Sequence, residues 1–393
     1  MRSGRQASFI RRRTGKTRRL AGGRTEDGFR AGHADGWSDG YHYGRCRKVM
    51  EQVPDPSEIL YDLHVVFVHE ALFALNEGIR SGLESLVSRV SVVNPMQADA
   101  AAYIAGLAPD LVLVLNGIHA FPPEQAQALK QYGVKTAVWF ADDPYFTDVS
   151  SQIAPLYDYV FTHEMGCVPF YQGLGCPNVH YLPLAASRKV FYPQPVGSEY
   201  RTDICFIGTG FWNRISFFDQ ISRYLTGKKV MISGGLWTRL KAYPRLKHRI
   251  TLAGTPFEQT AAYYSGAKIV VNLHRAAEDS QHNKNSRRLP ALSVNPRTFE
   301  MAACGTLQLT DIRQDLNDFY IPGSEIETYT SAQEWIEKVE YYLNHEDRRR
   351  EVALRGLHRT MKEHTYRHRL IQLLTTVFGD RLESANKRSE VTS

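Results

Sequence analysis

Residues 295–311, Asn-Pro-Arg-Thr-Phe-Glu-Met-Ala-Ala-Cys-Gly-Thr-Leu-Gln-Leu-Thr-Asp, put an arginine, a carboxylate and a helix start within one turn of each other. Pro296 suits a first helical turn, because its missing N–H had no intrahelical partner to lose. Gly305 marks the stop, and a short strand follows over Leu307 to Thr310. The free amides and the dipole of a helix start attract anions. Arg297 adds a forked donor pair for phosphate oxygens, and Glu300 can accept from a sugar hydroxyl. With Asn295 at the helix entry, these groups make a seat for a nucleoside diphosphate. An ordinary capped helix with a surface ion pair has the same letters, so the local sequence leaves the two readings level.

These residues need a scaffold. From about Leu60, apolar strands alternate with amphipathic helices, the signature of a parallel α/β sheet. The predicted strands are 63–68, 90–93, 111–115, 136–140, 159–162 and 179–182. After a proline-bearing linker over 185–201 come 203–207, 229–232, 250–252, 269–273 and 306–310. From Ser331 to about Phe378 the pattern is helical, with "SAQEW" as a start signal. Ligands of open α/β sheets bind beyond the carboxyl ends of the strands. In the first set those ends carry His69-Glu70, Asn116, Asp142-Asp143 and His163-Glu164. Asp142 or Asp143 can serve as a base toward a hydroxyl. Neighbours on an extended segment point to opposite sides, so one of the two should face the site. His163 is the second candidate base, since imidazole titrates near neutrality. A solvent-facing loop would explain each of these residues singly.

In the second set the strand ends carry Gly208-Thr209-Gly210, Gly234-Gly235, Gly254-Thr255 and Asn272-Leu273-His274-Arg275. Glycine turns let backbone close around a phosphate, and tight turns alone would also use them. Gly208, Thr209, Gly210, Asn272 and His274 are the candidate donor-side contacts. The polar loop 281–294 adds Lys284, Arg287 and Arg288, each equally at home in a solvated loop. No Walker phosphate loop, nucleophile elbow or zinc helix is present. Neither a metal nor a cofactor is expected.

The chain has 393 residues, 43% hydrophobic and 23% charged, which fits a soluble globular protein of two domains. No run approaches the roughly 18 to 20 apolar residues that span a bilayer, and a cytoplasmic location is expected. The formal charge of +7 is concentrated at one end: residues 1–24 hold nine Lys or Arg and no acid, leaving 39 basic against 41 acidic residues elsewhere. A nearly neutral body argues against a nucleic-acid-binding domain, while the arm can touch polyanions weakly. Five cysteines have no paired spacing and read as reduced thiols. Residues 25–45 contain Gly28, Gly32, Gly36, Gly40 and Gly44, four of them followed by Phe29, His33, Trp37 or Tyr41. A helix bearing them would lose about 1 kcal/mol per glycine. It would need a close partner, such as another subunit in a homo-oligomer. The competing reading is a flexible segment; some helix is expected.

The segments "VVNLHR", "NPRTFEMAACGTLQLTD", "VWFADDPYF" and "YDYVFTHEMGCVPFYQGLGCPNVHYLPLAA" resemble GT-B glycosyltransferases, and more narrowly the CgeB-like (spore maturation) glycosyltransferases, over about residues 60–380. The resemblance implies two Rossmann-like domains with parallel sheets facing across a cleft: an arm over 1–59, an acceptor domain over 60–190, a nucleotide-sugar donor domain over 191–365, and a helix over 366–380 crossing back to the first domain. It implies transfer of a sugar from a nucleotide-sugar to a glycan or protein hydroxyl, in spore-coat or surface polysaccharide glycosylation. One departure stands out. Many retaining GT-B enzymes carry two glutamates with seven residues between them, and the matching position before Glu300, eight residues back, is Leu292. A nucleotide-sugar epimerase, or a binding protein that kept the fold without turnover, are the alternatives.

Overall fold

The computed structural model describes residues 14–54, 60–70, 72–379 and 382. The first thirteen residues of the basic arm, the expected boundary at 59 and the final polar stretch lie outside the described residues.

Two six-stranded parallel sheets form the scaffold. The first has the order β2-β1-β3-β4-β5-β6, with β1 Tyr61–Val68, β2 Val87–Val93, β3 Leu111–Leu115, β4 Thr136–Phe140, β5 Tyr159–Thr162 and β6 Val179–Tyr181. The second has the order β12-β11-β10-β7-β8-β9, with β7 Thr202–Ile207, β8 Val230–Ser233, β9 Ile250–Thr251, β10 Ala267–Asn272, β11 Leu307–Asp311 and β12 Glu327–Tyr329. Their central strands read as unbroken apolar runs because helices cover both faces. β3 and β4 are buried at every position. The expected α/β architecture is therefore the one found. The strand missing from the sequence reading is β12, three residues long and spelled Glu-Thr-Tyr, with no apolar run to announce it.

The chain ends by returning to its first sheet. Helix Tyr366–Phe378 places Leu370, Leu373, Leu374 and Val377 in the core with Ile79, Leu83 and Trp139. Its start is pinned where Ala186 pairs with Thr365 and Thr365 forms a capping box with His368. The helix can seat there because Phe73–Glu84 offers glycines: a Cβ on Gly78 would lie 2.3 Å from the Tyr366 ring, and one on Gly82 2.6 Å from Leu370.

The described residues up to Arg45 form a unit of their own, carried by helix Thr14–Gln52. The four-residue repeat is helical there. Phe29, Trp37 and Tyr41 are exposed, and Trp37 stacks on Tyr41 at 5.6 Å, the contact that a spacing of four provides. A Cβ on any of its five repeat glycines would meet nothing within 4 Å.

Glycines of the two kinds should respond oppositely. Gly78→Ala overpacks the crossover contact and should destabilise the body by about 1 to 3 kcal/mol. Gly36→Ala should gain about 1 kcal/mol of helix propensity. Urea unfolding for the first and far-ultraviolet dichroism for the second check the pair; a neutral Gly78→Ala would mean that the glycine does not set the packing.

Candidate active site

At the carboxyl end of β7 the chain brings two cations together. Arg214 belongs to helix Trp212–Leu225 and shares its buried stripe with Phe218, Ile221 and Leu225. Its Nε donates to the carbonyl of Leu273 and its Nη1 to that of Thr209, both at 2.9 Å. Arg297 opens helix Arg297–Ala303 and donates from Nη1 to the Ile207 carbonyl at 3.0 Å. Both converge on Gly208, where a Cβ would sit 2.6 Å from Arg297 Nη1 and 3.1 Å from Arg214 Nη1. Among the described residues neither guanidinium has a carboxylate within salt-bridge distance. Burial, with Arg297 beside it, lowers the Arg214 pKa to about 9. Glu300 follows on the next turn of the Arg297 helix. It is 7% exposed and its carboxylate makes no hydrogen bond among the described residues. Burial raises its pKa to about 7, opposed by Arg297.

The glycine loop shapes this corner more than it donates to it. The amide of Gly208 is taken by the Ser233 carbonyl and that of Gly210 by Gly235, while the Gly208 carbonyl accepts from the Trp237 indole. The expected open helix start is also occupied: Asn295 Oδ1 accepts from the Thr298 amide at 3.2 Å, and Asn295 pairs with Asn272. Asn272 and Asn295 thus build the helix entry, and the arginine side chains converge at Gly208 instead.

The approach to that helix is held by four successive amides. Leu292 and Ser293 donate to the two oxygens of Glu164, a first-sheet residue, at 3.0 and 3.1 Å. Val294 donates to Asp315 at 3.0 Å, and Asn295 to Nε2 of His274, also at 3.0 Å. His274 is therefore neutral with its proton on Nδ1, directed at Asp311 2.5 Å away. Burial lowers its pKa, against the pull of Asp311. His274 positions Arg297 through the backbone.

On the first sheet, the ends of β1, β3 and β4 are cross-tied. Glu70 accepts the amides of His119 and Ala120 on one oxygen and Asn116 Nδ2 on the other. Asn116 also donates to Asp142 at 2.8 Å and accepts from the amides of Ala141 and Asp142. Asp142 keeps a partly exposed carboxylate. Burial works to raise its pKa, but His119 and Asn116 outweigh it and the pKa is lowered. Asp143 points the other way, into hydroxyls of Thr162 at 2.6 Å and Tyr171 at 2.8 Å, and burial lifts its pKa to about 7. His163 is buried with neither ring nitrogen hydrogen-bonded, and burial lowers its pKa to about 4. Asp142 and His274 act on it electrostatically.

The loop 281–294 is turned toward the first sheet. Thr147 donates to Asn285, Ser286 donates to Asp148, and Lys284 exchanges backbone bonds with Tyr145 and Asp148. Arg287 lies over the Phe170 ring and Arg288 is exposed, so neither joins Arg214 and Arg297 at Gly208. The sequence reading missed Arg214, His119 and the holding roles of Glu70, Glu164 and Asp315. Arg214 had left a signal: an arginine in register with the apolar stripe Phe218, Ile221 and Leu225.

Two parallel α/β sheets meeting at the carboxyl ends of their strands, with a crossover helix returning to the first, define the GT-B fold. Residues 214–375 match the Glycosyl transferase-like family. The chain is similar to spore protein CgeB of Bacillus subtilis (strain 168), 28% identical over 276 residues that cover 70% of this chain and 85% of that protein. Among solved structures it is similar to Anabaena HepE in complex with UDP and glucose, with a TM-score of 0.55 and 10% identity over 81% of this chain and 100% of that one. A glycosyltransferase from Rickettsia africae matches with the same TM-score, identity and coverage. Among the described residues no helix is long and apolar enough to cross a membrane.

The two aspartates should separate in experiment. The Asp143 pKa lies above its unfolded value of roughly 3.9, so its contribution to stability is full below that value and is lost as pH rises through about 7. Asp143→Asn copies the protonated acid. Its stability deficit against wild type should therefore shrink between about pH 4 and pH 7, read by urea unfolding. A deficit that grows with pH would contradict the buried-acid assignment.

Proposed function

We propose that this chain transfers a sugar from a nucleoside diphosphate donor to an acceptor hydroxyl. The observation that carries the reading is the convergence of Arg214 and Arg297 on Gly208 with no carboxylate within salt-bridge distance among the described residues, Asp311 and Glu300 acting on them only from further off. A buried cation without a counter-ion is costly, and a diphosphate supplies two negative charges where these two stand. Glu300, buried beside Arg297 without a hydrogen bond, suits the ribose hydroxyls of the same nucleotide. As the sugar leaves, charge builds on the diphosphate, and fixed cations aimed at it lower the barrier. Asp142 stands on the acceptor side; Asp143 and His163 back it from the buried side of the same strand ends. UDP is the nucleotide to test first, since HepE holds UDP in its solved structures. The likeness to a spore protein supports an acceptor in spore-coat or surface polysaccharide.

Calorimetric titration with UDP tests the donor site. A charged hydrogen bond contributes about 1.5 to 3 kcal/mol, so Arg297→Ala should weaken binding about tenfold or more. The ionised form of Glu300 is the one that accepts from ribose, so its part of the affinity should grow as pH rises through about 7. Glu300→Gln should lack that part. Wild-type affinity in both variants would remove these residues from the donor site.

A further inference from the structure

His119 holds a position that the donor site leaves unexplained. It lies in the loop after β3, where the backbone turns through left-handed conformation at Asn116 (φ 64°) and Gly117 (φ 66°). Glu70 fixes the loop by its amides, and the Phe146 ring meets the imidazole edge-on at 5.2 Å. Nε2 lies 3.7 Å from Asp142 Oδ2, and that carboxylate is itself held by Asn116. Nδ1 has no hydrogen-bond partner among the described residues, and the side chain is half exposed. The ring is thus aimed and backed by a carboxylate, with one nitrogen open. The contact with Asp142 is longer than a hydrogen bond, as such pairs commonly are before substrate closes them.

Resting on the donor reading above, we propose that His119 is the general base for the acceptor hydroxyl and that Asp142 orients its ring and stabilises the imidazolium that forms. In the step, the acceptor O–H proton moves to Nδ1 while the oxygen bonds to the sugar C1. The bond from C1 to the diphosphate oxygen breaks, and its electron pair leaves with the nucleoside diphosphate onto Arg214 and Arg297. The half-exposed imidazolium then returns its proton to solvent. Because the base is a group other than the leaving diphosphate, the acceptor attacks C1 opposite the departing oxygen, and the configuration inverts.

The charges facing His119 are Asp142 and Glu70, which favour its cation, and Lys284, which disfavours it. Asp142 in turn faces His119 and His163, and Arg275 carries its charge nearby. Interaction with Asp142 holds the His119 pKa above the ordinary imidazole value, against the effect of burial. The base form therefore gains population as pH rises through that raised value.

The test uses the full chain with UDP-glucose as donor and water as acceptor, followed by proton NMR between about pH 5 and 9. The wild-type rate should climb with pH through the raised His119 pKa. H119Q should lose that limb and roughly 10²-fold of the rate on its alkaline side, with UDP affinity unchanged by calorimetry. D142N should move the limb to lower pH, and glucose should first appear as the anomer opposite to that of the donor. The proposal is overturned if H119Q keeps both rate and limb, if configuration is retained, or if wild type binds UDP-glucose and releases no sugar. Absence of UDP binding by wild type would instead overturn the donor reading, and the base with it.

Discussion

Two guanidinium groups held side by side, with no carboxylate within salt-bridge distance among the described residues, are the constraint around which the second sheet is arranged. Like charges at close range repel, and burial deepens the cost. The fold accepts this by giving each arginine carbonyl partners, those of Leu273 and Thr209 for Arg214 and that of Ile207 for Arg297. The loop between them is pared to glycine. A Cβ on Gly208 would strike Arg297, and one on Gly234, whose φ is 141°, would lie 2.3 Å from the Gly208 carbonyl. Such a corner is a poor structural element by itself, and under the proposed function the diphosphate of a nucleotide-sugar would resolve its electrostatics.

The same logic explains how the two sheets share one site. Four consecutive amides from Leu292 to Asn295 are accepted by Glu164, Asp315 and His274, and the chain that they position runs directly into Arg297. Glu164 comes from the first sheet, so the arginine pair is indexed to the strand ends that carry Asp142 and His119. Leu292, the position at which the GT-B resemblance leads one to expect a first glutamate, serves here through its backbone. The carboxylate that this backbone meets, Glu164, arrives from the first sheet and is consumed in holding the loop.

The fold was legible because the strands are long apolar runs set between amphipathic helices, and only β12, brief and polar, escaped. Arg297 and Glu300 were legible because they share one helix turn. Arg214 was harder, since a cation on an apolar stripe looks like a surface residue until the stripe is seen to be buried. His119 was illegible, because its partner Asp142 is twenty-three residues away and the loop that aims it depends on Glu70 from another strand. Arg287 and Arg288 show the opposite error. A basic loop next to a predicted phosphate site invites assignment, yet Asp148, Thr147 and Glu164 draw that loop to the first sheet. Composition reports such charges, while tertiary hydrogen bonds decide where they go.

The central claim is that the Gly208 corner is a diphosphate site, and a crystal structure of the chain grown with UDP tests it most directly. The account predicts phosphate oxygens within hydrogen-bond distance of Arg214 and Arg297 and ribose hydroxyls on Glu300. A nucleotide bound elsewhere, or a corner still without an anion at saturating UDP, would contradict it.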